Sequence, residues 1–412
     1  MSFVISADVT GTQTVTSSGY GVVLDSGSIV SVFSTGVQMT SSGSLVVNGE
    51  IVTIGALAVD AAGNSAIEIG PTGSITSAFN SGAISTQAFD AISYDNSSGL
   101  FNFVNHGFVS GASEALFADA SNLSLFNSGL LQATNDQAIN ATVNNFLVFQ
   151  NTGTIESLLG TAVNITGGAF GYGIGAFVNT GEILSASAAI TMTGAGYGAL
   201  RNEGRIVGEV SLNGLSGSTL TLRNTGEIQG DVLLGSENGI YRGRSGEVSG
   251  TVYGQGGNDL IELGALDNFA DGGNDNDTLM GGAGEDTLLG GSGFDRLYGN
   301  GDNDSLDGGG RTDYLYGGKG DDTMTGGGGG DVFVIRRVGN GDDEVTDFQN
   351  GSDVVDISAL GVQNFNALNN VFGALSQDND SVIIDLAAAG GSGSIRLVGV
   401  TLADMDASDF IF

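Results

Sequence analysis

The chain has 412 residues, of which 72 are glycine and one is proline (Pro71), with no cysteine, no tryptophan and a formal net charge of −35. The missing thiols exclude disulfide staples and Cys-ligated metals, and the charge excludes nucleic acid and anionic lipid while favouring multivalent cations. Apolar residues make up 40% of the chain, enough for a packed core, so the composition is that of a folded protein.

The charge is unevenly placed. Residues 1–200 contain no Lys or Arg and 12 Asp or Glu, whereas all 11 basic residues and the other 34 acidic ones lie beyond position 200. The start, Met1-Ser-Phe-Val-Ile-Ser-Ala-Asp8, has no basic n-region and no long apolar run, which argues against an N-terminal secretory signal. No stretch of 18 apolar residues occurs, so no membrane-spanning helix is expected. A secreted chain without disulfides needs another staple, and a hard cation is the obvious one.

Residues 1–250 carry a loose repeat whose mark is an Asn-x-Gly turn between apolar residues. The instances are Asn80-Ser-Gly82, Asn105-His-Gly107, Asn127-Ser-Gly129, Asn151-Thr-Gly153, Asn179-Thr-Gly181, Asn202-Glu-Gly204 and Asn224-Thr-Gly226, at slightly uneven intervals. Two positions after each Gly stands Ile84, Val109, Leu131, Ile155, Ile183, Ile206 or Ile228. Two before each Asn but the first stands Phe103, Leu125, Phe149, Phe177, Leu200 or Leu222. Ser245-Gly246-Glu-Val248 continues the rhythm, and Gly27/Ile29, Gly43/Leu45 and Gly73/Ile75 are weaker echoes before it.

Alternation at period 2 and a repeat of this length predict a parallel β-solenoid with one coil per repeat. Asn and Gly tolerate the left-handed backbone of a corner, and Asn and Phe at one coil position would stack as ladders along the axis. A β-sandwich is the competing fold, but it has no need for one triplet at one phase. The pattern resembles the β-helical passenger and adhesin domains of bacterial surface proteins.

Residues 254–334 divide into nine consecutive nonapeptides without insertion. Gly281-Gly-Ala-Gly-Glu-Asp286-Thr-Leu288-Leu is the cleanest. The sixth position reads Asp259, Asn268, Asp277, Asp286, Asp295, Asp304, Asp313, Asp322, Asp331; the eighth reads Ile261, Ala270, Leu279, Leu288, Leu297, Leu306, Leu315, Met324, Phe333. Glycine suits a tight loop whose carbonyls turn toward an ion, aspartate supplies the hard oxygen that calcium prefers, and the apolar residue fills a thin core.

These units resemble the RTX (hemolysin-type calcium-binding) repeat family. The resemblance implies a parallel β-roll in which two nonapeptides make one turn and calcium sits between loops one turn apart. The metal-site residues it implies are Asp259, Asp277, Asp286, Asp295, Asp304, Asp313, Asp322 and Asp331, with the loop-opening Gly254, Gly272, Gly281, Gly290, Gly299, Gly308, Gly317 and Gly326. About six or more Ca2+ ions are expected. Leu263-Gly-Ala-Leu-Asp-Asn268 is degenerate, and Asp275, Asp302 and Arg311 replace the usual fourth-position Gly. Arg311 puts a cation beside its loop and makes the neighbouring gaps the doubtful ones.

Residues 335–412 resemble the C-terminal cap and uncleaved export signal of serralysin-type, type I secreted proteins. The carrying stretches are Gly341-Asp-Asp-Glu-Val345, Gly351-Ser-Asp353-Val-Val-Asp356 and the terminal Asp409-Phe-Ile-Phe412. The implied location is extracellular or on the cell surface, by type I export from a Gram-negative cell, with the secretion machinery as a partner.

The fold expected is all-β: a parallel β-solenoid (1–250), an RTX β-roll (254–334) and a β-rich cap with export segment (335–412). No metalloprotease H-E-x-x-H, G-x-S-x-G or P-loop occurs. His106 occupies the variable place of an Asn-x-Gly turn, and Arg201 and Arg223 precede equivalent asparagines as a surface charge ladder. The expected function is therefore non-enzymatic: a secreted calcium-binding structural protein that self-assembles or adheres, with a cell-surface glycan as one candidate target. The alternative is an epimerase- or lyase-like β-helix enzyme on polysaccharide carrying an RTX module.

Overall fold

The structure is a computed structural model. Before residue 75 it describes the backbones of short strands between Phe3 and Ile69; from Ile75 onward it describes all residues except 87–89, 168–176, 195–198, 213–218, 337–340 and 372. The chain separates into two compact units, Met1–Gly230 and Asp231–Phe412. The fold is all-β and almost wholly parallel. Helical turns among the described residues are short, at Ser358–Leu360, Ala367–Val371 and Ala407–Asp409.

The first unit is a parallel β-solenoid. Each coil stacks in register on the next: Phe103 pairs with Ala78 and Leu125, Phe149 with Leu125 and Phe177, and Leu200 with Phe177 and Leu222. Strands such as Leu116–Asn127 alternate buried and half-buried residues, so one set of side chains fills the interior. Ile84, Val109, Leu131, Ile155, Ile183, Ile206 and Ile228 are all buried in one stack. The Phe149 and Phe177 rings stack at 4.0 Å.

The asparagine ladder is present. Asn80, Asn105, Asn127, Asn151, Asn179, Asn202 and Asn224 are buried. Each of the first six donates Nδ2 to the Oδ1 of the next, at 2.7–2.9 Å. Asn105 to Asn202 also donate to the carbonyl of the turn glycine two residues on.

The turn glycines serve for another reason than the one expected. Gly107, Gly129, Gly153, Gly181, Gly204 and Gly226 are not among the residues of positive φ. A Cβ on any of them would instead fall within 3 Å of the turn-glycine carbonyl oxygen one coil earlier. Close stacking of turn on turn, not left-handed backbone, requires the missing side chain.

The weaker N-terminal echoes resolve unevenly. Ile29 aligns with Ile51, and Ile51 with Ile84, so Ile29 is in phase. Leu45 aligns with Ala78 and Ile75 with Leu100, one strand away from the expected phase. Gly27 and Gly73 lie outside the described residues. The first strands Phe3–Ile5, Val9–Thr10 and Gln13–Val15 pair with Gly19–Val23, Ser28–Val32 and Val37–Met39. They form a coil of the solenoid.

In the second unit the period becomes that of two nonapeptides, and two sheets face each other. One runs through Leu260–Glu262, Thr278–Met280, Arg296–Gly301, Tyr314–Lys319 and Val332–Val334. The other runs through Thr251–Gln255, Phe269–Asn274, Thr287–Ser292, Ser305–Gly310 and Thr323–Thr325. The eighth-position side chains, Ile261 to Phe333, are buried between them. The degenerate unit keeps register, with Ala270 seated between Val252 and Leu288.

Both sheets continue past the nonapeptides. Asp342–Val345 and then Ser394–Val398 extend the sheet that holds Thr323–Thr325; Val354–Asp356 and then Phe410–Ile411 extend the sheet that holds Val332–Val334. An antiparallel meander, Leu375–Asp378, Ser381–Asp385 and Ser394–Val398, closes the end. The terminal segment is thus a paired strand. Asp409 just before it is buried and accepts from the amides of Asp406 and Gly351 and from Asn350 Nδ2.

Candidate metal centre

Each sixth-position aspartate is fixed by the turn before it. Asp277 Oδ1 accepts from the Asp259 amide, Asp286 from Asn268, Asp295 from Asp277, Asp304 from Asp286, Asp313 from Asp295, Asp322 from Asp304 and Asp331 from Asp313, all at 2.7–2.9 Å and all across one turn. Asp259 Oδ1 accepts from the Gly239 amide at 2.5 Å. One carboxylate oxygen of every rung is therefore used by the backbone.

The other oxygen has no partner. Oδ2 of Asp259, Asp277, Asp286, Asp295, Asp304, Asp313, Asp322 and Asp331 is buried and unpaired in all eight. Leaving a buried carboxylate oxygen uncompensated is costly. Burial pushes these carboxyls up: to about 6 for Asp286, Asp295, Asp322 and Asp331, about 7 for Asp259, Asp304 and Asp313, and about 8 for Asp277.

Each orphan oxygen points at the first glycine of its own unit. A Cβ on Gly254, Gly272, Gly281, Gly290, Gly299, Gly308, Gly317 or Gly326 would stand within 3 Å of it. At Gly254, Gly272, Gly290, Gly299 and Gly308 the same space is bounded by the carbonyl oxygen of the equivalent glycine one turn later. A carboxylate oxygen and a main-chain carbonyl thus converge over a bare Cα, an all-oxygen cradle that fits a hard cation such as calcium. Among the described residues no three carboxylates or imidazoles meet at one point, so the donor set is one carboxylate per unit supplemented by backbone.

Residues 251–333 match the RTX calcium-binding nonapeptide repeat family in four overlapping copies, at 251–270, 264–297, 280–310 and 298–333. This segment is an RTX calcium-binding repeat region. RTX repeats imply calcium binding and are typical of type I secreted extracellular proteins. Among solved structures, the chain is similar to the AlgE6R3 subunit of the Azotobacter vinelandii mannuronan C5-epimerase (28% identity, 36% of this chain and 79% of that one, TM-score 0.25). It is also similar to the extracellular lipase LipA from Serratia marcescens (17% identity, 51% of this chain and 45% of that one, TM-score 0.20). No curated protein gave a significant match.

The irregular units now have physical explanations. Asn268, in the degenerate RTX unit, donates Nδ2 to the Val248 carbonyl at 3.2 Å, so a neutral side chain is satisfied where others carry an orphan. Asp275, Asp302 and Arg311 adopt left-handed backbone with φ of 73°, 70° and 84°, as Gly257, Gly284 and Gly320 do at the same position. The Arg311 guanidinium lies over the Phe294 ring, 5.4 Å from its centroid, and the ladder through Asp295, Asp313 and Asp331 runs past it unbroken.

Sequence reasoning missed two rungs. Asp343 Oδ1 accepts from the Asp322 amide at 3.1 Å, and Asp353 Oδ1 from the Asp331 amide at 2.9 Å. Both are buried, and burial raises Asp343 to about 7. The signal was the Asp-x-Val spacing of Asp343/Val345 and Asp353/Val355, hidden because the loops before them are longer than a nonapeptide allows. Asp347 closes the last RTX loop by accepting from the amides of Gly326 and Gly327.

In the solenoid, His106 is exposed, with Nδ1 at 2.5 Å from Ser128 Oγ. Arg205 lies between Glu182 and Glu227 at 3.7 and 3.4 Å, and Arg201 pairs with Glu203. Sequence reasoning also passed over Asp90 and Glu114, which lie one coil apart and share a hydrogen bond. Burial raises Asp90 to about 8. Burial opposes the Glu114 charge too, but hydrogen bonds with Asp90, Ser113 and Asn140 outweigh it and hold that carboxyl below its usual range.

Proposed function

We propose that this is a secreted, non-enzymatic structural protein whose RTX roll folds when calcium arrives and whose solenoid presents the working surface, in self-assembly or adhesion. The supporting observation is the row of eight buried, partnerless Oδ2 atoms. Calcium, when bound, would supply positive charge to those oxygens. Asp259, Asp277, Asp286, Asp295, Asp304, Asp313, Asp322 and Asp331 would hold it with the loop-glycine carbonyls. Where calcium is scarce, the carboxylates oppose folding, which keeps the segment exportable; where it is plentiful, binding adds to folding free energy. Residues 1–250, 254–334 and 335–412 divide the work into surface, trigger, and cap with type I export signal.

The coils of the solenoid add to one another by parallel strand pairing, from Phe3–Ile5 on Gly19–Val23 onward, and parallel strand addition is the contact by which one chain extends another. Electron microscopy with and without calcium tests the assembly reading. Filaments or sheets that form only with calcium support it; dispersed particles at high calcium sink it and leave adhesion.

A second reading rests on Asp90 and Glu114, two carboxyls one coil apart that share a hydrogen bond, with the Glu114 amide also donating to Asp90 Oδ1 at 3.4 Å, an arrangement that keeps a proton between two acids. A uronate or reducing-end assay on acidic polysaccharide, abolished by Asp90→Asn, would establish an enzyme in place of a structural protein.

A further inference from the structure

The two outer faces of the RTX roll are chemically unlike. Side chains at the seventh and ninth positions flank each buried eighth residue and face outward. On the sheet of Thr287–Ser292, Ser305–Gly310 and Thr323–Thr325 these are Thr287, Leu289, Ser305, Asp307, Thr323 and Thr325, with no cation. On the sheet of Arg296–Gly301 and Tyr314–Lys319 they are Arg296, Tyr298, Tyr314 and Tyr316.

That second face is organised. The Tyr298 and Tyr316 rings stack at 4.5 Å and 15°. The Arg296 guanidinium lies 5.5 Å from the Tyr314 centroid, and the Arg336 guanidinium 5.4 Å from that of Tyr316. A cavity of about 180 Å³ opens there, lined by Tyr298, Asn300, Tyr316, Lys319, Arg336 and the Gly317–Gly318 backbone. Two of the chain's 11 basic residues thus meet an aromatic pair at one small cavity, in a protein of net charge −35.

We infer that this cavity binds one unit of an anionic saccharide, with the sugar ring against the Tyr298–Tyr316 pair and its carboxylate or sulfate between Lys319 and Arg336. The tyrosines offer rigid amphipathic surface to a pyranose, and the two cations offer charge-assisted hydrogen bonds to an oxyanion. Long-range repulsion disfavours a polyanionic nucleic acid. An acidic segment of a second copy is the rival occupant. Gly317 and Gly318 open one of the RTX loops, so the cavity exists only when the roll is folded. The inference rests on that folding and not on assembly or adhesion.

The test is calorimetry of the full chain, its roll shown folded by circular dichroism in millimolar calcium. The probes are a hexauronate, a sulfated hexasaccharide and a neutral glucose hexasaccharide. Binding of either anionic probe, with the neutral one at least tenfold weaker, is expected; the tighter anionic probe identifies the charged group. Lys319→Gln and Arg336→Gln should each weaken binding by about tenfold or more, with the roll of each variant still folded in calcium by circular dichroism. Silence toward both anionic probes, equal binding of the neutral one, or full affinity in the Lys319→Gln/Arg336→Gln double variant overturns the site. So does sedimentation showing that Arg336→Gln abolishes a dimer and leaves saccharide affinity intact. Failure of binding by a folded roll refutes this site alone, whereas a roll that folds in chelator refutes the calcium reading alone.

Discussion

In the N-terminal unit the recurring ladder residue is asparagine; in the C-terminal unit it is aspartate. The asparagine amide is donor and acceptor at once, so each rung satisfies the next and the surplus hydrogen goes to a turn carbonyl. The aspartate carboxylate has two acceptors and no donor. One oxygen takes a backbone amide and the other is orphaned. Replacing an NH2 by an oxygen at each rung converts a self-sufficient stack into one that a cation must complete.

The sharpest break between the two should come from removing calcium. Each site at a hundredfold excess over its Kd adds about 2.7 kcal/mol to folding. Excess chelator is therefore expected to abolish the folded C-terminal unit, read by calorimetry as a lost transition. The transition of the solenoid unit should stay where it is.

Exchanging the rungs comes next in size. Asn127→Asp removes the Nδ2 that donates to Asn151 Oδ1, Gly129 O and Thr154 O and buries a charge, with an expected loss of about 3–5 kcal/mol whether or not calcium is present. Asp295→Asn keeps the acceptor for the Asp277 amide and removes the orphan oxygen. It should stabilise the roll in chelator and weaken calcium binding, so the urea midpoint moves in opposite directions in the two buffers.

The pH response follows from the same burial. The Asp259, Asp277, Asp304 and Asp313 carboxyls stand at about 7 to 8 when folded, above the ordinary 3.8. The folded state holds protons that the unfolded chain has released, so stability without calcium is present at pH 4 and is lost as pH rises toward 8. Calcium binding near pH 6 should release protons, measurable as a buffer-dependent binding enthalpy. The asparagine ladder contributes no such dependence.

The smallest expected effect is at Arg311. Arg311→Gly relieves a left-handed φ worth about 1–2 kcal/mol and forfeits a stack on Phe294 worth about 0.5–1 kcal/mol. A net gain of about 0–1.5 kcal/mol, with calcium affinity unchanged, is expected from chemical denaturation.

Both ladders were legible in the sequence because each repeats a polar residue at a fixed offset from a buried apolar one. The nonapeptide phase picked out the eight ladder aspartates and the glycines that face them, and the Asn-x-Gly phase located the solenoid stack. What was not legible depended on contacts between coils. The turn glycines are required by a carbonyl one coil away, which no local pattern reveals. Asp343 and Asp353 were hidden by longer loops. The Asp90–Glu114 pair and the Tyr298–Tyr316 cavity arise only when residues from successive coils or turns are stacked.

Residue-resolved hydrogen exchange with and without calcium tests the contrast between the ladders most directly. The amides of Asp277, Asp286 and Asp295, which donate to the next turn's carboxylate, should be protected in calcium and exchange freely in chelator. Those of Ser128, Thr152 and Thr180, which donate to the asparagine carbonyls, should be protected in both. Equal protection of the two sets in chelator would contradict the claim that the aspartate ladder needs a cation to be complete.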